Sequence, residues 1–156
     1  MIARWQAGRS TIDALLHDKS LQSVHADRTL ADLYLDHARA HLAASRQTID
    51  IDPTGSFQLA YDAARKSLAA ILENQGLRAT AKGGHWVIEQ STRAQLDPPL
   101  GSLVNDFGWM RGVRNASEYP SFDRAVADKE DAERGQAIAE QILNAAARLL
   151  DQMPVY

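Results

Sequence analysis

The chain has 156 residues, a formal charge of −3, 45% apolar and 24% charged side chains, and no cysteine, which suits one core and falls short of two typical domains. The missing cysteine excludes disulfides, thiolate zinc sites, iron–sulfur clusters and thiol nucleophiles, and the acidic balance excludes a globally basic nucleic-acid binder. No apolar run approaches the roughly 20 residues of a membrane helix and Met1–Gln6 lacks a secretion-signal stretch, so a cytoplasmic protein with no membrane association is expected.

Alanine occurs 26 times, a bias toward helix. Residues 1–27 are the least regular and read as an arm or short appended helix, with Ser10 as a candidate cap for a turn or two through His17. From Thr29 the residues Leu30, Leu33, Tyr34, His37, Ala38, His41, Leu42, Ser45 and Ile49 follow helical spacing, which predicts a helix over about 28–50. Asp52-Pro53 is a helix start, because the carboxylate accepts free amides while Pro fills the first helical position. The helix it opens carries Phe57, Ala60, Tyr61, Ala64, Leu68, Ile71 and Leu72 on one stripe, and Gly76 is placed to end it in a left-handed cap.

Residues 77–84 read as a loop, and His85 begins a shorter helix. A second Asp-Pro start at Asp97 predicts a helix with Leu100, Leu103, Val104, Phe107 and Met110 inward, ending before Pro120. Asp128 caps a last helix bearing Ile138, Ile142, Ala145 and Leu149, and no alternating run argues for a strand. The expected fold is all-α, a four- to five-helix up-and-down bundle over residues 28–153.

The chemistry concentrates in Trp109-Met-Arg-Gly-Val-Arg-Asn-Ala-Ser-Glu-Tyr119-Pro120. Arg111 lies seven residues after Val104, and Arg114 seven after Phe107, so two guanidinium groups continue an apolar stripe. An inward Arg requires an anionic or carbonyl partner. Glu118, four residues after Arg114, supplies one in the plain reading, a buried pair with the Tyr119 hydroxyl pinning the helix end. The sharper reading is a phosphate-binding cluster, since the Arg fork matches phosphate oxygens. His37 and His41 are spaced as in zinc-binding helices but lack a third ligand, so neither metal nor cofactor is expected. Asp62 and Lys66 read as an exposed helical pair. Trp109 suits a helix or subunit contact better than base stacking.

Four blocks, Phe57–Leu68, Gln75–Thr80, Gly84-His85 and Arg111–Pro120, together resemble the HEPN superfamily, in its short stand-alone actinobacterial branch, from about residue 28 to 152. Arg114-Asn115 is similar to the opening of that family's signature, in which a His follows four to six positions after the Arg. Here Tyr119 stands five positions on, and no His lies downstream of residue 85. The resemblance implies a homodimer of toxin–antitoxin or phage-defence type that binds RNA or cleaves it without metal, with Arg114, Asn115, Glu118 and Tyr119 as catalytic candidates and Arg111, Asp62, Arg65 and His85 lining the cleft. A Tyr side chain, titrating ordinarily near 10, is a poor base at pH 7, so His85 reaching in from another helix is one route to activity. Two alternatives stand beside it. One is a silent module that binds a nucleotide or partners a nucleotidyltransferase, with Tyr119 or Tyr61 as acceptor, and the other is a helical scaffold.

Overall fold

In the computed structural model residues 5–156 are described; Met1–Arg4, part of the segment read for a secretion signal, lie outside them. Among the described residues six helices run in the order α1 (Arg9–His17), α2 (Arg28–Thr48), α3 (Pro53–Gln75), α4 (Gly84–Leu96), α5 (Gly101–Glu118) and α6 (Lys129–Leu149). The all-α class therefore holds. No helix is long and apolar enough to cross a membrane among the described residues.

Helix α3 is the centre. It packs against α2 and α6 on one side and α4 and α5 on the other, which is why its buried set exceeds one stripe and includes Ala63, Ala70 and Ser67. Both of its ends follow the sequence reading. The Asp52 carboxylate accepts from Gly55 N at 2.9 Å, and Gly76 closes the helix at φ 86°, a region that a side chain enters at a cost. Asp128 opens α6 with a reciprocal capping box through Asp131. Ser45 of α2 and Ser56 of α3 exchange hydroxyl-to-carbonyl bonds at 2.7 Å, and Gln136 of α6 donates to both hydroxyls. Three helices are thereby pinned by a satisfied buried polar knot.

Three expectations need correction. Two strands exist, β1 (Leu21–Ser23) and β2 (Leu77–Ala79), paired antiparallel with Leu21 opposite Ala79. Three residues are too few to display alternation, and the pairing is non-local, so no sequence window signals it. Helix α5 starts at Gly101, because Asp97 still closes α4 through its N–H on the Arg93 carbonyl. Within residues 1–27, α1 is capped at Gly8 rather than Ser10. Gly8 sits at φ 73°, and a Cβ there would meet the Ala94 carbonyl oxygen at 2.2 Å, so glycine lets α1 lie directly on α4.

That close approach buries the segment in the common core: Ile12 is 0% and Leu21 1% exposed. Replacing Ile12 by Ala is expected to lower unfolding stability by about 2–5 kcal/mol. Urea denaturation of the full chain measures it, and a change within about 0.5 kcal/mol would mean that the segment contributes little to the core.

Candidate functional site at the α4–α5 junction

Helices α4 and α5 meet through a polar ladder. Glu89 of α4, 6% exposed, accepts from Arg111 Nε at 2.7 Å and from Arg93 Nη2 at 3.2 Å. One turn along, Arg93 Nη1 donates to Asn105 Oδ1 at 2.5 Å. The carboxylate can come this near because residue 108 is glycine; a Cβ there would stand 3.0 Å from Glu89 Oε1. Arg111 is thus an inward arginine with an anionic partner, as its stripe position required, but the partner is on another helix.

Arg114, the next residue on that face of α5, is held far less firmly. Its Nη2 lies 3.9 Å from Glu118 Oε2, and its Nη1 makes a long 3.4 Å bond to Asn115 Oδ1. Its Nε is buried without a partner. A half-buried guanidinium with such weak protein partners keeps most of its donors for an outside acceptor. The expected Arg114–Glu118 pair is therefore present only at the limit of contact, with Glu118 exposed on the helix end.

His85 enters one turn before Glu89 on the same side of α4. Its Nδ1 is 3.0 Å from the hydroxyl of Tyr61, a core residue of α3 stacked on Phe107 at 5.5 Å and 7°. Burial pushes the Tyr61 phenol up to about 12, against the opposing pull of Arg65, Arg114 and Arg111. Burial first, and then the charges of Arg65 and Arg114, hold the His85 imidazole below its ordinary value. That shift favours the neutral ring. In the tautomer protonated on Nδ1, the bond runs from Nδ1–H to the phenol oxygen and leaves Nε2 free to accept a proton.

These groups border an open cleft of about 420 Å³, lined by Gly83, His85, Trp86, Arg111, Arg114, Asn115 and Tyr119. Arg111, Arg114, Asn115, Tyr119 and His85, all singled out from sequence, come together there. Glu118, Asp62 and Arg65 do not line it, and the charges of Asp62 and Arg65 bear on His85 and Tyr61 behind it. Asp62 pairs with Arg65 at 3.4 Å rather than with Lys66, whose Nζ lies 2.9 Å from His41 Nε2. One contributor escaped the sequence reading: Trp86 is 48% exposed beside His85, and an exposed indole in a helix's first turn was its only signal. Tyr61, read as a core residue and alternative acceptor, is a partner of His85 through a contact between separate helices. Trp109 is a helix contact, edge-on to Phe57 and 3.9 Å beneath the Arg134 guanidinium. Among the described residues no group of three or more His, Cys, Asp or Glu is placed to hold a metal ion.

A family model described as a HEPN domain matches residues 31–149, a span containing every residue of this cleft. No curated protein and no solved structure matches the chain.

The depressed His85 value has a signed consequence. An unfolded His titrates near 6.5, so as pH falls below about 6.5 the unfolded chain takes up protons before the native one does, and stability declines. His41, lowered mainly by burial and then by Lys66, shifts in the same direction. The unfolding free energy of His85→Asn is expected to fall less steeply than that of wild type between about pH 7 and about pH 5. Equal slopes would show that the imidazole titrates as it does in the unfolded chain.

Proposed function

The chain belongs to the HEPN domain family, and from that premise we propose that it is a toxin–antitoxin or phage-defence protein that binds RNA and cleaves it without metal at the α4–α5 cleft. The observation that carries this reading is His85. In the family resemblance the imidazole follows the Arg on one helix. Here Tyr119 takes that place, while α4 supplies a neutral imidazole to the cleft that Arg111 and Arg114 border.

In this reading Arg114 and Arg111 neutralise the scissile phosphate, and they favour the more highly charged phosphorane over the ground state. His85 Nε2 takes the proton of the ribose 2′-hydroxyl, whose oxygen bonds to phosphorus. The bond from phosphorus to the 5′-oxygen breaks, and the imidazolium returns its proton to that leaving oxygen. The products are a 2′,3′-cyclic phosphate and a 5′-hydroxyl, with no net proton change. Tyr61 fixes the ring from behind, Asn115 and Tyr119 orient the phosphate, and Glu118 backs Arg114. Since the chain carries −3 overall, attraction for RNA is local. A cytoplasmic homodimer apposing two α5 helices doubles it.

The second reading, a silent nucleotide-binding module paired with a nucleotidyltransferase or antitoxin, is favoured by one observation. Tyr119 is 72% exposed and open to modification, whereas Tyr61 is sealed in the core.

Purified wild type is expected to cleave RNA in EDTA. His85→Asn should slow the reaction by about 10²–10⁴-fold, Arg114→Ala should suppress it, and Tyr119→Phe, which removes the orienting hydroxyl, should slow it less than either. An inactive wild-type dimer whose Tyr119 gains the mass of a nucleotide unit beside a partner enzyme would select the second reading. Loss of stability alone in Arg114→Ala, with no RNA or nucleotide bound by wild type, would leave a helical scaffold.

A further inference from the structure

Where the start of α5 meets the end of α6, the apolar stripe is incompletely closed. Leu100, Leu103 and Leu149 are only half-buried, and the crevice they share is faced by Ala145 and Ala146 of α6, whose methyl groups leave it unfilled. Two connected spaces result. The outer chamber, of about 300 Å³, is walled by Trp5, Leu96, Pro99, Leu100, Ala145 and Leu149. The volume lies at the low end for small-molecule sites, roughly 300–1,000 Å³. The inner crevice shares Leu96, Leu100, Ala145 and Leu149 with it and runs on to Leu68 and Ile71 of α3. The crevice has only about 10 Å³ of free space, at the limit of what one water occupies, and its aliphatic walls offer a water no partner.

The mouth of the outer chamber is polar. Arg148 and Gln152, both exposed, border it. The acidic neighbour of Arg148, Asp151, is committed to Arg28 at 2.8 Å, and Arg148 pairs with no carboxylate among the described residues. The two spaces and the mouth together select a shape and a charge. A ring is too thick for the crevice, and a polar group inside it would be stranded without a hydrogen bond. A thin, flexible alkyl chain can part the leucines and gain burial along its length, while its head stays at the mouth, where Arg148 favours an anion. We propose that this chamber binds a free medium-chain fatty acid, with its methyl end directed toward Ile71 and its carboxylate held at Arg148. Leu100 and Arg114 are about 20 Å apart along α5, so the site is separate from the α4–α5 cleft and stands whether or not that cleft cleaves RNA.

Titration calorimetry of the full chain with hexanoate, octanoate, decanoate and decyltrimethylammonium reads the two ends of the ligand separately. Affinity is expected to rise about fourfold for each methylene buried, the equivalent of about 0.8 kcal/mol. Decanoate should bind at least about fivefold more tightly than the cation of the same chain length. The chain carries −3 overall, so a preference for the anion reports the local charge at Arg148. The surface substitution Arg148→Gln should remove that preference and keep the dependence on chain length, whereas Ala145→Leu, which fills both spaces, should abolish the dependence on chain length. Equal affinities for the three carboxylates in wild type, a cation bound as tightly as decanoate, or a preference that survives Arg148→Gln overturns the proposal. So does an unchanged chain-length dependence in folded Ala145→Leu; should that variant fail to fold, the wild-type series and Arg148→Gln decide. Phosphatidylglycerol vesicles that bind the chain while free decanoate does not would also overturn it, and would assign this face to a lipid surface.

Discussion

The buried carboxylate of Glu89 sets the geometry on which the candidate site depends. A carboxylate at that depth is costly unless its charge is met on more than one side, and Arg111 and Arg93 meet it from two helices. That requirement fixes how far α4 can slide along α5. His85, Glu89 and Arg93 recur every four residues on one face of α4, and Arg111 and Arg114 follow one another on the facing side of α5, while the long Arg93 side chain reaches Asn105 at its flank. Once Glu89 is locked to Arg111, and Arg93 to Asn105, the remaining members, His85 and Arg114, are brought to the same cleft without bonding one another.

The division of labour along that ladder is uneven. Arg111 is a structural arginine that also faces solvent; Arg114 is under-bonded. The same contrast holds for the two tyrosines. Tyr61 keeps its proton because the core excludes charge, and so it serves His85 as a fixed neutral partner. Tyr119, past the last turn of α5, has no hydrogen bond to its hydroxyl among the described residues. Burial thus sorts like residues into supports and reactive surfaces.

Much of this was legible in the sequence where the governing forces are local. The Asp52 and Asp128 caps, the Gly76 terminus and the apolar stripe of α3 depend on neighbours within a few residues, and each lies where reading predicts it. The seven-residue step from Phe107 to Arg114 was likewise enough to mark two guanidinium groups as unusual. What stayed hidden depends on register between helices. Nothing near Glu89 announces that Arg111 is its partner, and the pairing of Asp62 with Arg65 instead of Lys66 is settled by His41 arriving from α2. The arm before α2 could not be recognised as core because its anchor is an unoccupied Cβ position at Gly8, opposite the Ala94 carbonyl.

The β1–β2 ribbon also ties the segment before α2 to the start of α4. Its partners, Leu21 and Ala79, are far apart in the chain, whereas the α2–α3 hairpin closes through a tight turn at residues 49–52. Short loops close at little entropic cost and long ones at more. The Ser45–Ser56 pair of that hairpin closes over a short stretch of chain, whereas its bond to Gln136 of α6 and the ribbon both close over long ones. Since β2 leads straight through residues 80–83 into the first turn of α4, the position of the His85 imidazole is tied to that ribbon. Opening of that ribbon, ahead of global unfolding, would loosen the α4 end while leaving α3 and α6 packed.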